Sequence, residues 1–185
     1  MLSLFFFSET SPIMKLIASK VYFKGEIIME YLVYKDMVYG DRKPGEVIAE
    51  GVKDNYTFKV VSLGSHPCGY VSVPKNHPLY RKLDDLETYI DCHGGITFDG
   101  SIEKFGMTEY YIGWDYAHAG DYIGGGIGRD TDTRYLTEDV IKECLYVIGQ
   151  LDMYHRIINE FKNDNVIAKD DIRKIIYELN YLVGD

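Results

Sequence analysis

Cysteine is scarce in this chain. The three present, Cys68, Cys92 and Cys144, are odd in number and far apart, and no Cys-x-x-Cys pair occurs. A disulfide framework and a cysteine-built zinc site are therefore excluded as organising devices, and the cytosol is the expected compartment. Basic charge is also in deficit: Lys and Arg number 20 against 29 Asp and Glu, a net charge of -9. A protein whose main partner is long nucleic acid normally carries a basic stripe, which this balance does not supply. A small anionic ligand stays open, because a few N–H groups or one Arg can hold a phosphate. No apolar run approaches the roughly 20 residues of a membrane span, so no membrane partner is expected. Leu4-Phe-Phe-Phe7 has a short apolar run without a basic flank, unlike a secretory signal. Gly124-Gly-Gly-Ile-Gly128 lacks the Lys-Ser/Thr that would make it a phosphate loop. Internal repeats and low-complexity tracts are absent.

What the chain does have is an ordinary globular balance, 46% hydrophobic and 26% charged over 185 residues, enough for one domain with a core. Tyrosine stands out at 17 residues. Its flat apolar face and polar tip suit strands, interfaces and pockets for planar ligands. Near the start, Lys24-Gly25-Glu26 would be encoded by purine-rich codons resembling a bacterial ribosome-binding sequence, followed after two codons by Met29. Residues 1–28 are accordingly expected to be a translated leader or a disordered N-terminus, with the domain spanning 29–185. The opposing reading is a native strand around Val21-Tyr-Phe23.

Alternating and β-branched stretches predict strands at Glu30–Tyr34, Tyr56–Val61, Gly69–Val73, Leu86–Cys92, Ile96–Phe98 and Tyr110–Trp114. Gly64-Ser-His-Pro67 is a turn joining two of them into a hairpin, and Asp41–Gly45 is another turn. Apolar residues then change to helical spacing. Val140, Ile141, Cys144, Leu145, Ile148 and Leu151 follow Thr137, a cap candidate with Glu138 and Asp139 in the first turn. A second helix is expected from about His155 to Phe161. A third starts near Lys169, with Ile172, Ile175, Ile176 and Leu179 on one face. The fold class is α+β: a single domain, a mostly antiparallel sheet of about five or six strands, with C-terminal helices packed on it.

Two Gly-rich stretches carry the chemistry, Asp91-Cys-His-Gly-Gly-Ile-Thr-Phe98 and Gly113-Trp-Asp-Tyr-Ala-His-Ala-Gly-Asp121. Glycine lets backbone and ligand approach closely there. Asp115, His118 and Asp121 are spaced by three and can face one point in a tight turn. With His93 they would make a His2Asp2 set suited to a divalent ion such as Zn or Mn. Equally, Asp115 and Asp121 can cap backbone N–H groups in a close-packed loop. The same residues also suit ligand binding without chemistry. His93, Gly94, Gly95 and Thr97 would offer polar contacts, Trp114 and nearby Tyr would form walls, and Asp115, His118, Asp121 and Arg129 would meet a base, a ribose or a phosphate. Trp114 reads equally as a core residue of an aromatic strand. Cys92 and His93, adjacent on a strand, would point apart and make no nucleophilic pair. His66 and His77 each precede proline and are read as turn-shaping.

Gly69-Tyr-Val-Ser-Val-Pro74, Asn76-His-Pro78, the two stretches above, and Tyr135-Leu-Thr-Glu-Asp-Val140 occur in this order. Together they resemble a family of small phage and prophage proteins, over roughly residues 65–152. The resemblance implies a phage accessory protein in a bacterial cytoplasm, a setting in which countering host defence is a common role. It carries no assigned catalytic residues. Three functions follow as expectations. The first is an anti-defence protein, with no cofactor and compatible with a homo-oligomer, that binds and sequesters a small nucleotide-derived signal. The second is a metal-dependent hydrolase of a phosphoester or nucleotide, using His93, Asp115, His118 and Asp121. The third is a protein–protein inhibitor of a host factor.

Overall fold

The structure is a computed structural model, which describes residues 17–23 and 26–163, with side chains described for 29–160. Seven strands form one sheet: β1 (Ile17–Phe23), β2 (Glu26–Val33), β3 (Glu46–Lys53), β4 (Tyr56–Ser62), β5 (Pro67–Ser72), β6 (Phe98–Ile102) and β7 (Met107–Asp115). Their order is β1-β2-β3-β4-β5-β7-β6, and every pair is antiparallel. A short helix, α1 (Leu83–Tyr89), and a long one, α2 (Thr137–Asn163), complete the fold. The α+β architecture with a C-terminal helix on an antiparallel sheet is as the sequence implies. The third helix expected near Lys169 lies outside the described residues. β1 falls inside the segment read as a leader.

Alternation along the strands sorts side chains onto two faces. Phe58 and Val60 of β4, Val71 of β5, and Tyr110, Ile112 and Trp114 of β7 join the larger core. Against them α2 lays Val140, Ile141, Cys144, Ile148 and Leu151, all 2% exposed or less. The opposite face carries a smaller cluster, with Val61, Cys68, Tyr70, Met107 and Tyr111. The register Gly69↔Trp114 has a steric reason: a Cβ at Gly69 would lie 2.7 Å from the Trp114 ring, so only glycine lets the indole cross that strand.

Three sequence expectations need correction. Leu86–Cys92 is not a strand. Leu83, Leu86 and Tyr89 recur at helical spacing behind Asp84 and Asp85, an acidic first turn, and the chain forms α1 before turning extended at Ile90. Two helices expected over 137–161 are one continuous α2 of 27 residues. Tyr154 and Ile158 carry the buried stripe across the presumed gap. Thr137 does not cap α2 with its hydroxyl, which donates to Lys35 O at 3.3 Å, while the Asp139 carboxylate accepts the Leu136 N–H at 2.9 Å. Strand β3 was not foreseen. Its pattern is interrupted by Glu50 and Gly51, and pairing on both sides, with β2 and β4, holds it in the sheet.

Candidate functional site

The His93 segment is held by α2. Glu143 and Gln150 stand seven residues apart on that helix, two turns on one face. The Gln150 amide accepts the Asp91 N–H at 2.9 Å and donates to Asp91 O at 2.8 Å. The Glu143 carboxylate accepts the His93 N–H at 2.6 Å. Cys92 between them turns into the core, and burial pushes its thiol up to about 12, out of nucleophilic range. Gly94 and Gly95, at φ +67° and +83°, then reverse the chain. Gly94 is needed on a second count: a Cβ there would lie 2.0 Å from Cε1 of His118.

The second stretch leaves the end of β7. Asp115 turns its carboxylate to the Thr97 hydroxyl at 3.0 Å and the Ala117 N–H at 3.1 Å. Asp121 is buried, 6% exposed, and its Oδ2 accepts the His118 N–H at 2.9 Å. The same oxygen lies 2.7 Å from His93 Nε2 and 3.4 Å from His118 Nδ1. Among the described residues, His93, His118 and Asp121 form a group whose ligand atoms lie within 4.8 Å of one another. Among the described residues, His118 Nδ1 has no hydrogen-bond partner. Asp115 is not a member of this group. Trp114 and Tyr116 lie on the α2 face of the strand, so strand alternation sends Asp115 to the other face. Its capping role is the one the loop chemistry allowed for.

Rings pack behind His93. Tyr116 stacks on it at 4.5 Å with 10° between planes, and Tyr135 touches both, at 4.9 Å from His93 and 4.5 Å from Tyr116. The Tyr116 hydroxyl donates to Glu143 and accepts the Trp114 indole N–H at 3.4 Å. Burial, and then the bond to Glu143, raise the Tyr116 phenol far above its ordinary range, so it stays a donor. Tyr39 clasps the Tyr135 backbone, donating to its carbonyl and accepting its N–H, both at 2.9 Å.

The sequence thus located His93, Gly94, His118 and Asp121 together. Trp114 is 1% exposed, and Tyr110, Tyr111 and Tyr116 are 6%, 4% and 1% exposed, so these rings are core and scaffold rather than open walls. Thr97 serves Asp115. Arg129 is exposed, and its own N–H is taken by Asp132 at 2.7 Å. Glu143, Tyr135 and His66 were missed. His66 sits in the β4–β5 turn, beside the chain that carries Tyr116, whose N–H donates to Pro67 O at 3.2 Å. Burial lowers the His66 imidazole, and the charges of Asp115 and Asp121 pull it back up. Its place in a Gly-Ser-His-Pro turn concealed that proximity. Glu143 left a trace in the sequence as a polar residue beside the apolar stripe of α2, and Tyr135 opens the Tyr135-Leu-Thr-Glu-Asp-Val140 segment.

A cavity of about 360 Å³ opens elsewhere, among β2, β3 and β4, lined by Tyr31, Glu50, Thr57 and Lys59. Another of about 270 Å³ follows the end of α1 to Cys92 and Gly95. No helix among the described residues is long and apolar enough to cross a membrane. No protein-family model, curated protein or solved structure matches the chain.

Proposed function

We propose that the chain is a metal-dependent hydrolase of a phosphoester or nucleotide, with His93, His118 and Asp121 as the ligands of one divalent ion. The observation that carries this reading is the convergence of their ligand atoms within 4.8 Å. Ligands on a tetrahedral zinc lie about 3.4 Å apart for bonds near 2.1 Å, so small side-chain rotations would open the set around an ion. Two imidazoles and one carboxylate suit zinc or manganese and leave coordination positions for water and substrate. Such an ion would supply Lewis-acid activation of water and of the phosphoryl group for hydrolysis, in which water adds to phosphorus, the ester P–O bond breaks and the departing oxygen takes up a proton. Glu143 supports the arrangement from α2 by holding the His93 backbone.

Sequestration of a small nucleotide-derived signal by a phage accessory protein is the second reading, and one observation favours it. Asp121 Oδ2 is already satisfied by His93 Nε2 and the His118 N–H. The loop is therefore complete without an ion, and the space beside Gly95 is open to a ligand.

Metal analysis and titration of the purified chain, followed by incubation with a nucleotide mixture, separate the two. The hydrolase should bind one zinc or manganese per chain and consume nucleotides in a chelator-sensitive manner. His118→Ala and Asp121→Asn should each weaken metal binding by more than about a hundredfold, beyond the loss usual for an outer-shell change. An unmodified nucleotide retained by metal-free protein would overturn the hydrolase in favour of sequestration.

A further inference from the structure

The contacts around His93 close on themselves. On α2, the Glu143 carboxylate accepts the His93 N–H at 2.6 Å with Oε1 and the Tyr116 hydroxyl with Oε2. The Tyr116 ring lies on the His93 ring, 4.5 Å away and within 10° of parallel. One carboxylate therefore holds both the backbone of the histidine and the ring stacked on it. Tyr116 is fixed again from the sheet. The Trp114 indole N–H donates to its hydroxyl at 3.4 Å, and its own N–H donates to Pro67 O at 3.2 Å.

Placing the backbone of a histidine does not set the plane of its ring, because the outer torsion is broad. In metal sites that plane is usually set by a carboxylate or carbonyl bonded to the second ring nitrogen. Here, among the described residues, the His93 ring bonds only Asp121, through Nε2 at 2.7 Å. The stack on Tyr116 supplies the restraint instead, and it leaves the Nε2 edge directed at Asp121. Packing alone does not call for this arrangement. Tyr116 is 1% exposed, and a phenylalanine would fill its place without a carboxylate beside it. Glu143 is half-buried and, among the described residues, makes no ion pair. A carboxylate withdrawn from water without a cation must be hydrogen-bonded to be tolerated. Both oxygens of Glu143 are used on this histidine and its ring partner.

We propose that Tyr116 is a positioning residue of the metal centre, setting the plane of the His93 imidazole through a ring stack that Glu143 anchors from α2. This rests on the metal-centre reading above and extends the part of Glu143 from the His93 backbone to the ligand ring itself. A ligand held beforehand in its binding orientation loses less freedom when the ion arrives, so the ion binds more tightly.

The test uses the full chain as wild type, Tyr116→Phe, Glu143→Gln, Glu143→Ala and His118→Ala. Cobalt(II) binding is followed by visible absorption, whose shape and intensity report the geometry of the ligands, and thermal melts establish that each variant is folded. Glu143→Gln can still bond both the His93 N–H and the Tyr116 hydroxyl, and should stay within about threefold of wild-type cobalt affinity. Tyr116→Phe and Glu143→Ala should each bind cobalt at least about tenfold more weakly, with an altered absorption band. Wild-type affinity and absorption in folded Tyr116→Phe would overturn the role of Tyr116 while leaving the metal centre standing. Equal losses in Glu143→Gln and Glu143→Ala would overturn it too, since charge and not the two bonds would then be responsible. Absence of a cobalt signal that depends on His118 would instead overturn the metal centre, and with it the positioning proposed here.

Discussion

Gly94 shows how much one residue can decide. Its φ of +67° strains any L side chain, and a Cβ there would meet the His118 ring at 2.0 Å. Gly95 shares the strain, at φ +83°, but faces open space. The two glycines therefore predict different phenotypes. Each alanine substitution should cost roughly 1–2 kcal/mol of stability through its left-handed backbone. Only Gly94→Ala should displace His118, and it should weaken divalent-metal binding at least about tenfold by the loss of one ligand's position. Parallel melting and metal titration of the two variants checks this; equal metal affinity in both would contradict the contact with His118. The His-Gly-Gly motif stood out in the sequence as a candidate site. Its reason was not, because the partner ring comes from a residue 24 positions away along the chain.

At the scale of elements, α2 does two jobs. Its apolar stripe covers the sheet, and its polar edge, through Glu143 and Gln150, clamps the His93 segment. The stripe was visible in the sequence as a change of period at Val140, whereas the clamp was not, because Glu and Gln beside a stripe usually face solvent. The length of α2 was under-read since Gly149 and the polar residues around Asp152 weaken the pattern in mid-helix. Gly149 is exposed, and a Cβ added there would meet nothing within 4 Å. Gly149→Ala should therefore stabilise the protein by about 0.5–1 kcal/mol, read as a rise of a few degrees in Tm, with metal binding unchanged. A fall in Tm would mean that the backbone of α2 departs from a helix at that point. The opposite misreading befell α1, where Leu86 to Cys92 looks like a strand until Leu83, Asp84 and Asp85 are counted as the start of a helix.

Across the whole molecule, acid sensitivity is built in at the junction of α2 with the sheet. His77 is 3% exposed. Its Nε2 donates to Leu151 O at 2.9 Å, and its Nδ1 accepts the Leu79 N–H at 3.1 Å, so both nitrogens are used by the neutral ring. Burial lowers its pKa from 6.5 to about 4. Between those values the unfolded chain binds a proton that the folded chain refuses, so stability rises with pH across this window. The direction at His66 is the same. Tm should fall as the pH is lowered from 7 to 4.5, His77 alone accounting for up to about 3 kcal/mol. A His77→Gln variant, less stable at pH 7, should show a flatter profile over that interval. A wild-type Tm that does not change between pH 7 and 4.5 would show that His77 protonates in the folded state.

Sequence by itself determined the fold class, the α2-facing stripe, the β4–β5 hairpin and the joining of His93, His118 and Asp121 into one candidate site. The first three, and the His118–Asp121 pair, are set by local period, turn chemistry or short spacing, which the chain expresses without reference to distant partners; His93, 25 residues before His118, joins them only through the fold. Tertiary structure alone decided that Asp115 faces away from the cluster and that Trp114 is core. It also brought Glu143, His66 and Tyr135 to the candidate site. Their placement depends on strand register, on the pleat that alternates neighbours between faces, and on a helix and a loop returning from far along the chain. Those are properties of packing between elements, which no single stretch of residues contains.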